Sequence, residues 1–433
     1  SMEVGDRVHV GPFEVEPIRV THSIPDCLSL FMRSEEGNLL HTGDWKIDDS
    51  SPDGELFDRE AFARCGDEGV DVLLSDSTNA LVPGRTRGER EVAEALHRAV
   101  AEHQGRIVVT QFASNLHRLH GLVSVAASTG RRIGFAGRSL WRYLRAAHAT
   151  GRAPIDPARV VEMTHLESLD DREALIVTTG TQGEAVAALG QAARGRHPCL
   201  KIGSGDRVIH SARIIPGNEE SVYRMFNSLS ERGADLIYGK QHGVHASGHA
   251  KRDELAEMFD LTRPTHFVPV HGERTFLVAH AELARAKGVP VVTLATNGEE
   301  IHFNGSSAIR AADHVLVEIF NDGPATGDAE AMLLKERKRI AWNGVVVLDA
   351  EIVGGDTISL SEVRVRTRGI WTDENVLGAL LAEAARETTA SQPPGVSVEA
   401  LEETIQSRLR SLCRRHCGKA PDVLITLHRG RAH

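Results

Sequence analysis

Cysteine is scarce in this chain: five residues, at 27, 65, 199, 413 and 417, among 433. The number is odd and none form a C-x-x-C pair, which argues against a disulfide framework and a cysteine zinc site and is consistent with a reducing cytoplasm. No apolar run of about eighteen residues occurs, so no transmembrane helix is expected. No signal-peptide pattern precedes the first strand-like segment, and the opening Ser1-Met2 reads as a tag remnant before a start codon or as a truncation point. Excess positive charge is also missing. A net charge of −10 counts against a uniformly basic nucleic-acid binder, although it leaves room for a local basic groove.

What is present is enough apolar sequence, 41%, for real cores, with 25% charged residues, close to the usual soluble value. The length predicts about two to four domains. Twenty-two histidines are many for this length, and their positions decide whether they mean chemistry or composition.

Residues 8–33 alternate and turn as strands, a short buried strand follows at 70–74, and 89–103 has helical spacing. From about Arg106 strands and helices alternate: strands at 107–110, 133–136 and 174–178, helices near 115–128 and 139–149. That spacing predicts a parallel sheet covered on both faces. Later strands are expected at 235–238, 267–270 and 291–294, with helices at 251–260 and 275–287. Residues 304–312 read as a linker. A small α/β domain follows, with strands at 345–349 and 423–426 and helices near 374–391 and 397–416.

Polar clusters fall just after these buried strands, where α/β folds build sites. They are Thr21-His22-Ser23-Ile24-Pro25-Asp26, His41-Thr42-Gly43-Asp44, His245-Ala246-Ser247-Gly248-His249 and Pro269-Val270-His271-Gly272-Glu273. A single histidine is more often structural. Four clusters of imidazoles and carboxylates at strand ends are what a borderline cation such as zinc needs. The loop 179–184 (TGTQGE) follows a strand and reads either as a phosphate cradle opening a helix or as an ordinary tight turn; Gly203-Ser204-Gly205-Asp206 reads as a hairpin turn. Ser114 and Asn115 precede a helix, to cap it or to contact a ligand. Arg131, Arg132, Arg138, Arg142 and Arg145 either track a phosphate backbone or line a solvated helix face, and Arg408, Arg410, Arg414 and Arg415 share that ambiguity. The stripe Leu401, Ile405, Leu409, Leu412 is core or a dimer contact.

The motifs HTGDWK, LLSDSTNA, QFASN, TTGTQGE, IPGNE, GVHASGHA and PVHGE occur in an order that resembles ribonuclease J proteins, from about residue 4 to the C terminus. The resemblance implies an α/β fold: a metallo-β-lactamase αββα sandwich whose first part is missing here, an inserted β-CASP parallel-sheet domain and a small C-terminal α/β domain. The expected division is 1–84 and 231–305 for the two parts of the sandwich, 85–230 for β-CASP, and 306–433 for linker and C-terminal domain. It further implies a zinc-dependent ribonuclease acting on 5′-monophosphorylated single-stranded RNA, both 5′-to-3′ and internally, cytoplasmic, not membrane-bound, and homodimeric or homotetrameric.

Carried over by position, His22, Asp44 and His271 resemble metal ligands, with Asp44 bridging. His249 resembles the β-CASP histidine, the candidate for protonating the leaving oxygen, and Asp76 the acid that orients it. His245 and Ser247 would hold the scissile phosphate, with Ser114, Asn115, Thr181 and Gly183 on the RNA-contacting loops. Family members also carry H-x-H-x-D-H upstream of the His22 strand, and none of the histidines here stands in that pattern. Two zinc ions belong to a complete site, so the expectation for this chain alone is partial or absent metal and little activity. The alternatives are a catalytically incomplete fragment or subunit that keeps RNA-binding and dimerisation surfaces, or a split enzyme completed by another chain.

Overall fold

In the computed structural model, residues 2–429 are described except 167, 305–306, 323–324, 331, 355–357 and 371–373. The chain divides into two compact units, 1–314 and 315–433.

The first unit opens with β1 (Val8–Val10), β2 (Phe13–Arg19), β3 (Leu28–Ser34), β4 (Gly37–His41), α1 (Arg59–Glu68) and β5 (Val72–Asp76). It then leaves into α2 (Glu89–Ala101), β6 (Ile107–Thr110), α3 (Leu116–Ser128), β7 (Arg132–Ala136), α4 (Arg138–Ala149), α5 (Met163–Leu166), β8 (Ala174–Thr178), α6 (Ala188–Ala193), β9 (Arg207–His210), α7 (Glu219–Glu231) and β10 (Asp235–Ile237). It returns through α8 (Arg252–Thr262), β11 (His266–Val270), α9 (Arg274–Ala286) and β12 (Val291–Val292), and ends on the hairpin β13 (Glu299–Asn304) and β14 (Ser307–Asp313). The segment read as a linker thus contains most of that hairpin.

Leaving and returning produce two sheets. The first has seven strands in the order β1-β2-β3-β4-β5-β11-β12. Strands β4, β5, β11 and β12 run parallel, and antiparallel β2–β3–β4 pairing points β2 the same way, so the ends of β2, β4, β5 and β11 share one edge. One face buries Ile18, Phe31, Leu40, Leu73 and Phe267 against Phe62 of α1, Leu255 and Phe259 of α8 and Leu283 of α9. Leu30, Met32, Leu39 and Leu74 are only half-buried.

The second sheet, β10-β9-β6-β8-β7, is parallel throughout. Its strands alternate between two cores, because successive side chains point to opposite faces. Ile107, Val109, Leu175 and Val177 meet α2, α3 and α4 on one side, while Val108, Ile176 and Val208 meet α6 and α7 on the other. Residues 203–206 do turn, but they lead into β9, which pairs parallel on both sides; no hairpin forms there.

The crossing between the sheets is tied by buried charges. Arg118 of α3 makes a two-pronged contact with Glu89 of α2 (2.8 and 2.9 Å) and donates to Ser211 Oγ (2.6 Å) and the Val244 carbonyl (3.3 Å). Lys46, from the loop after β4, pairs with Asp48 at 2.9 Å and lies 3.9 Å from Glu89. Asp48 also accepts from the Glu89 backbone N–H at 2.9 Å, capping the start of α2.

The second unit contains β15 (Phe320–Asp322), β16 (Ala325–Gly327), α10 (Leu334–Asn343), β17 (Val345–Val353), β18 (Ser359–Arg368), α11 (Glu374–Ala390), α12 (Val398–Cys417) and β19 (Asp422–Arg429). Its sheet, β18-β17-β19, packs Val346 and Leu348 against Leu377 and Leu381 of α11 and Leu401, Ile405 and Leu409 of α12. The apolar stripe of the last helix is therefore core, not a free dimer face.

Removing one partner of the buried network leaves the other charge uncompensated. Arg118→Ala should lower unfolding free energy by about 3–5 kcal/mol in urea titration. For Glu89, burial opposes ionisation, but Arg118 and Lys46 outweigh it and hold the carboxyl at about 2 against an ordinary 4.5. The unfolded chain takes up this proton first as pH falls, so the contribution is complete above 4.5 and lost as pH approaches 2. Glu89→Gln should flatten acid unfolding across that window.

Candidate metal centre

The shared strand edge of the first sheet brings the sequence clusters together. Asp44 follows β4, Asp76 ends β5, His271 follows β11, and His249 sits on the crossover returning to α8. Donor atoms of these four residues all lie within 4.8 Å of one another. His249 Nδ1 is 2.7 Å from Asp76 Oδ2, and His271 Nδ1 is 3.2 Å from Asp76 Oδ1 and 3.6 Å from Asp44 Oδ1. The His249 and His271 rings stack at 5.5 Å between centroids.

Asp76 is the centre of this arrangement and is only 2% exposed. Burial alone would favour its neutral form, but hydrogen bonds from His249, His271 and Thr78 hold it well below the usual carboxylate range. Its own bond to Asp76, against the cost of burial and with the Asp44 charge beside it, raises the His271 imidazole above its ordinary value. His271 adopts a left-handed backbone (φ +54°), uncommon for a side chain of this size and a form of strain that concentrates at functional sites.

His22 lies beside this group, its ring centroid 4.9 Å from that of His249. Its Nδ1 donates to the Gly248 carbonyl at 2.6 Å, which leaves Nε2 as the lone-pair nitrogen. Burial lowers its pKa and favours that neutral form. The ring lies so close over Gly248 that a Cβ there would overlap it, which explains glycine in HASGH. The chain before His22 is fixed by Thr21, whose hydroxyl donates to the Lys46 carbonyl at 2.7 Å.

The remaining expected residues are placed less uniformly. Ser247 Oγ accepts from Asn79 Nδ2 at 2.9 Å and from the His249 N–H at 3.1 Å, so it supports the His249 loop. His245 is half-buried; burial and then Arg118 push its pKa down to about 3. Ser114 is half-buried, while Asn115 is buried and caps α3 by accepting from the Arg118 N–H at 2.8 Å. Thr181 is buried, with its carbonyl accepting from His210 Nε2 at 2.8 Å, and Gly183 lies against the Ser221 backbone in α7. The loop 179–187 does not open a helix directly, because α6 starts only at Ala188.

Sequence reasoning passed over Thr78 and Asn79, although both lie inside LLSDSTNA. Thr78 Oγ1 donates to Asp76 Oδ1 at 2.7 Å and lies 3.0 Å from His271 Nδ1. Asn79 also donates to the His249 carbonyl at 2.9 Å and accepts from Arg213 at 2.8 Å. A threonine and an asparagine beside an acid look like turn residues; only the return of the chain from 247–271 gives them partners.

Residues 104–229 match the family described as ribonuclease J, beta-CASP domain, residues 237–294 the Zn-dependent metallo-hydrolase RNA specificity domain, and residues 332–430 the ribonuclease J C-terminal domain. A ribonuclease J of Synechocystis is 37% identical over 433 residues, covering 96% of this chain and 67% of the relative. That of Mycolicibacterium smegmatis is 36% identical, covering 94% and 72%, and that of Thermus thermophilus 33% identical, covering 97% and 73%. This chain belongs to the ribonuclease J family.

The donor chemistry fits a divalent cation: two carboxylates, one of them buried and kept ionised, and two imidazoles, with the His22 Nε2 lone pair beside them. Thr78→Val removes the hydroxyl that orients both Asp76 and His271. Divalent-cation affinity, measured by competition with a chelating dye, should fall about 10–100-fold; unchanged affinity would show that Thr78 does not hold the donors.

Proposed function

We propose that this chain hydrolyses RNA phosphodiesters as a metal-dependent ribonuclease of the ribonuclease J type. Zinc is the proposed cation, with two ions in a complete site and partial or absent occupancy in this chain alone, and 5′-monophosphorylated single-stranded RNA is the proposed substrate, cut both 5′-to-3′ and internally. The observation that carries this reading is the convergence of Asp44, Asp76, His249 and His271 at one strand edge, in a chain whose relatives are named ribonuclease J.

When bound, a divalent cation supplies Lewis acidity toward phosphoryl oxygens and lowers the pKa of water. The protein's own groups divide the remaining work. His22, Asp44 and His271 are the proposed ligands, with Asp76 near enough to join them. His249 keeps Nδ1 on Asp76, so Nε2 is the nitrogen that would deliver a proton to the leaving oxygen. His245 and Ser247 precede His249 on the same loop and are proposed to steady the phosphate. Ser114 completes the set, while Asn115, Thr181 and Gly183 serve it through loop shape, their side chains or backbone being used within the fold.

The test is turnover of 5′-monophosphorylated RNA with and without added zinc. Without the H-x-H-x-D-H residues, cleavage by the wild-type protein should be slow; chelator should abolish it, and His249→Ala should lower kcat further, by about 10²–10⁴. RNA that stays intact at every zinc concentration would sink the reading and favour an incomplete subunit that only binds RNA.

Self-association as a homodimer or homotetramer, in the cytoplasm, belongs to the same proposal. The exposed run Val315, Leu316, Val317 and Ile319 supports association, with exposures of 90, 62, 67 and 70%. Among the described residues no helix is long and apolar enough to cross a membrane. Replacing that run by serine should shift the sedimentation profile toward the monomer.

A further inference from the structure

The arginines of the parallel-sheet region separate into two kinds. Arg131 is structural: its guanidinium donates to the carbonyls of His103, Gly105, Asp171 and Ala174. Arg132, Arg138, Arg142, Arg145 and Arg159 are exposed, and none of their guanidinium groups has a hydrogen bond or carboxylate partner among the described residues. Arg142 lies over the Tyr143 ring at 5.6 Å and Arg145 over Trp141 at 5.8 Å.

Their placement is ordered. Arg138, Arg142 and Arg145 stand at i, i+4 and i+7 of α4, on one helix face, with rises of about 6 and about 4.5 Å between them. The helix contains no acid. At its start, Arg138 and Arg142 line a cleft with Ser139, Thr179 and His197. Further along, Arg145 lines a second cleft with Arg132, Arg159 and Trp141. The stripe thus joins two clefts along β7, the outer strand of its sheet. It begins at the ends of the parallel strands, the same edge at which His117, in the first turn of α3 after β6, donates to the His22 carbonyl at 3.1 Å.

Unpaired cations cost little in water, but a protein of net charge −10 has acids to pair them with. Five guanidinium groups without a partner among the described residues, three of them on the helix that carries Trp141 and Tyr143, suit a polyanion that also offers flat rings: phosphates take the arginines and bases stack on the aromatics. We propose that the α4 stripe is a track for single-stranded RNA, holding the part of the strand that lies outside the metal centre. This rests on the ribonuclease reading and adds a surface that shares no residue with the donor group.

The test measures binding to fluorescent oligouridylate in EDTA, where hydrolysis does not interfere, across about 50 to about 200 mM salt. Two RNAs are compared, one of about 16 nucleotides and one of about four. The variants are Arg138→Ala/Arg142→Ala/Arg145→Ala and the matching triple lysine replacement. Loss of three phosphate contacts should reduce the salt slope by about 2, so wild-type protein loses about 20-fold more affinity than the alanine variant over that range. The effect should appear with the long RNA only, and the lysine variant should keep the wild-type slope. An alanine variant with wild-type slope and affinity for the long RNA overturns the track while leaving the ribonuclease reading intact. Wild-type protein that binds neither RNA overturns both.

Discussion

The fold depends on the buried contact between Arg118 and Glu89, because it sits where the polypeptide crosses between its two sheets. Arg118 belongs to the inserted sheet's helices, and it donates both to the carbonyl of Ser211, just after β9, and to that of Val244, just before the histidine-bearing loop. Lys46 and Asp48 join it from the loop that also carries Asp44. Such a network is costly to bury and worth little against an apolar replacement of the same shape. Its effect is geometric: it fixes the distance between two chain segments, 44–48 and 244–249, that are remote in sequence and must present donors to one point.

Asp76 performs the corresponding task at that point. A carboxylate with 2% exposure needs partners, and it finds them in Thr78, His249 and His271. Each of these partners is thereby oriented, since an imidazole whose Nδ1 is fixed has only Nε2 left to offer. The metal-binding potential of the group and the rigidity of its loops thus have the same cause.

Much of this was legible in the sequence because it depends on local signals. Short apolar runs flanked by glycine and polar residues marked most strands of both sheets, and the polar clusters after them marked the strand edge on which Asp44 and His271 meet, while Asp76 came only with the family resemblance. What escaped was non-local. Strand β9 was hidden in Arg207-Val208-Ile209-His210, whose parallel neighbours lie far away in sequence, and the preceding glycines looked like a hairpin turn. Helix α7 carries charge at both ends and was passed over, although Val222, Phe226 and Leu229 form its buried stripe. Thr181 and Asn115 had the right residue types for ligand contact, but the fold had already used them.

The arginines show why residue type alone could not decide. Arg131 and Arg132 are adjacent, and no composition or charge argument separates them. Their placement does, because Arg131 lies just before β7 and is buried, whereas Arg132 is the first, exposed residue of β7. Arg131 turns inward to four backbone carbonyls, and burial lowers its pKa. Arg132 turns outward to the cleft shared with Arg145 and Arg159. A charge with four carbonyl partners is part of the scaffold, whereas a charge with none faces whatever the solvent brings. A functional reading of a basic cluster therefore begins by removing the members that the backbone has already claimed.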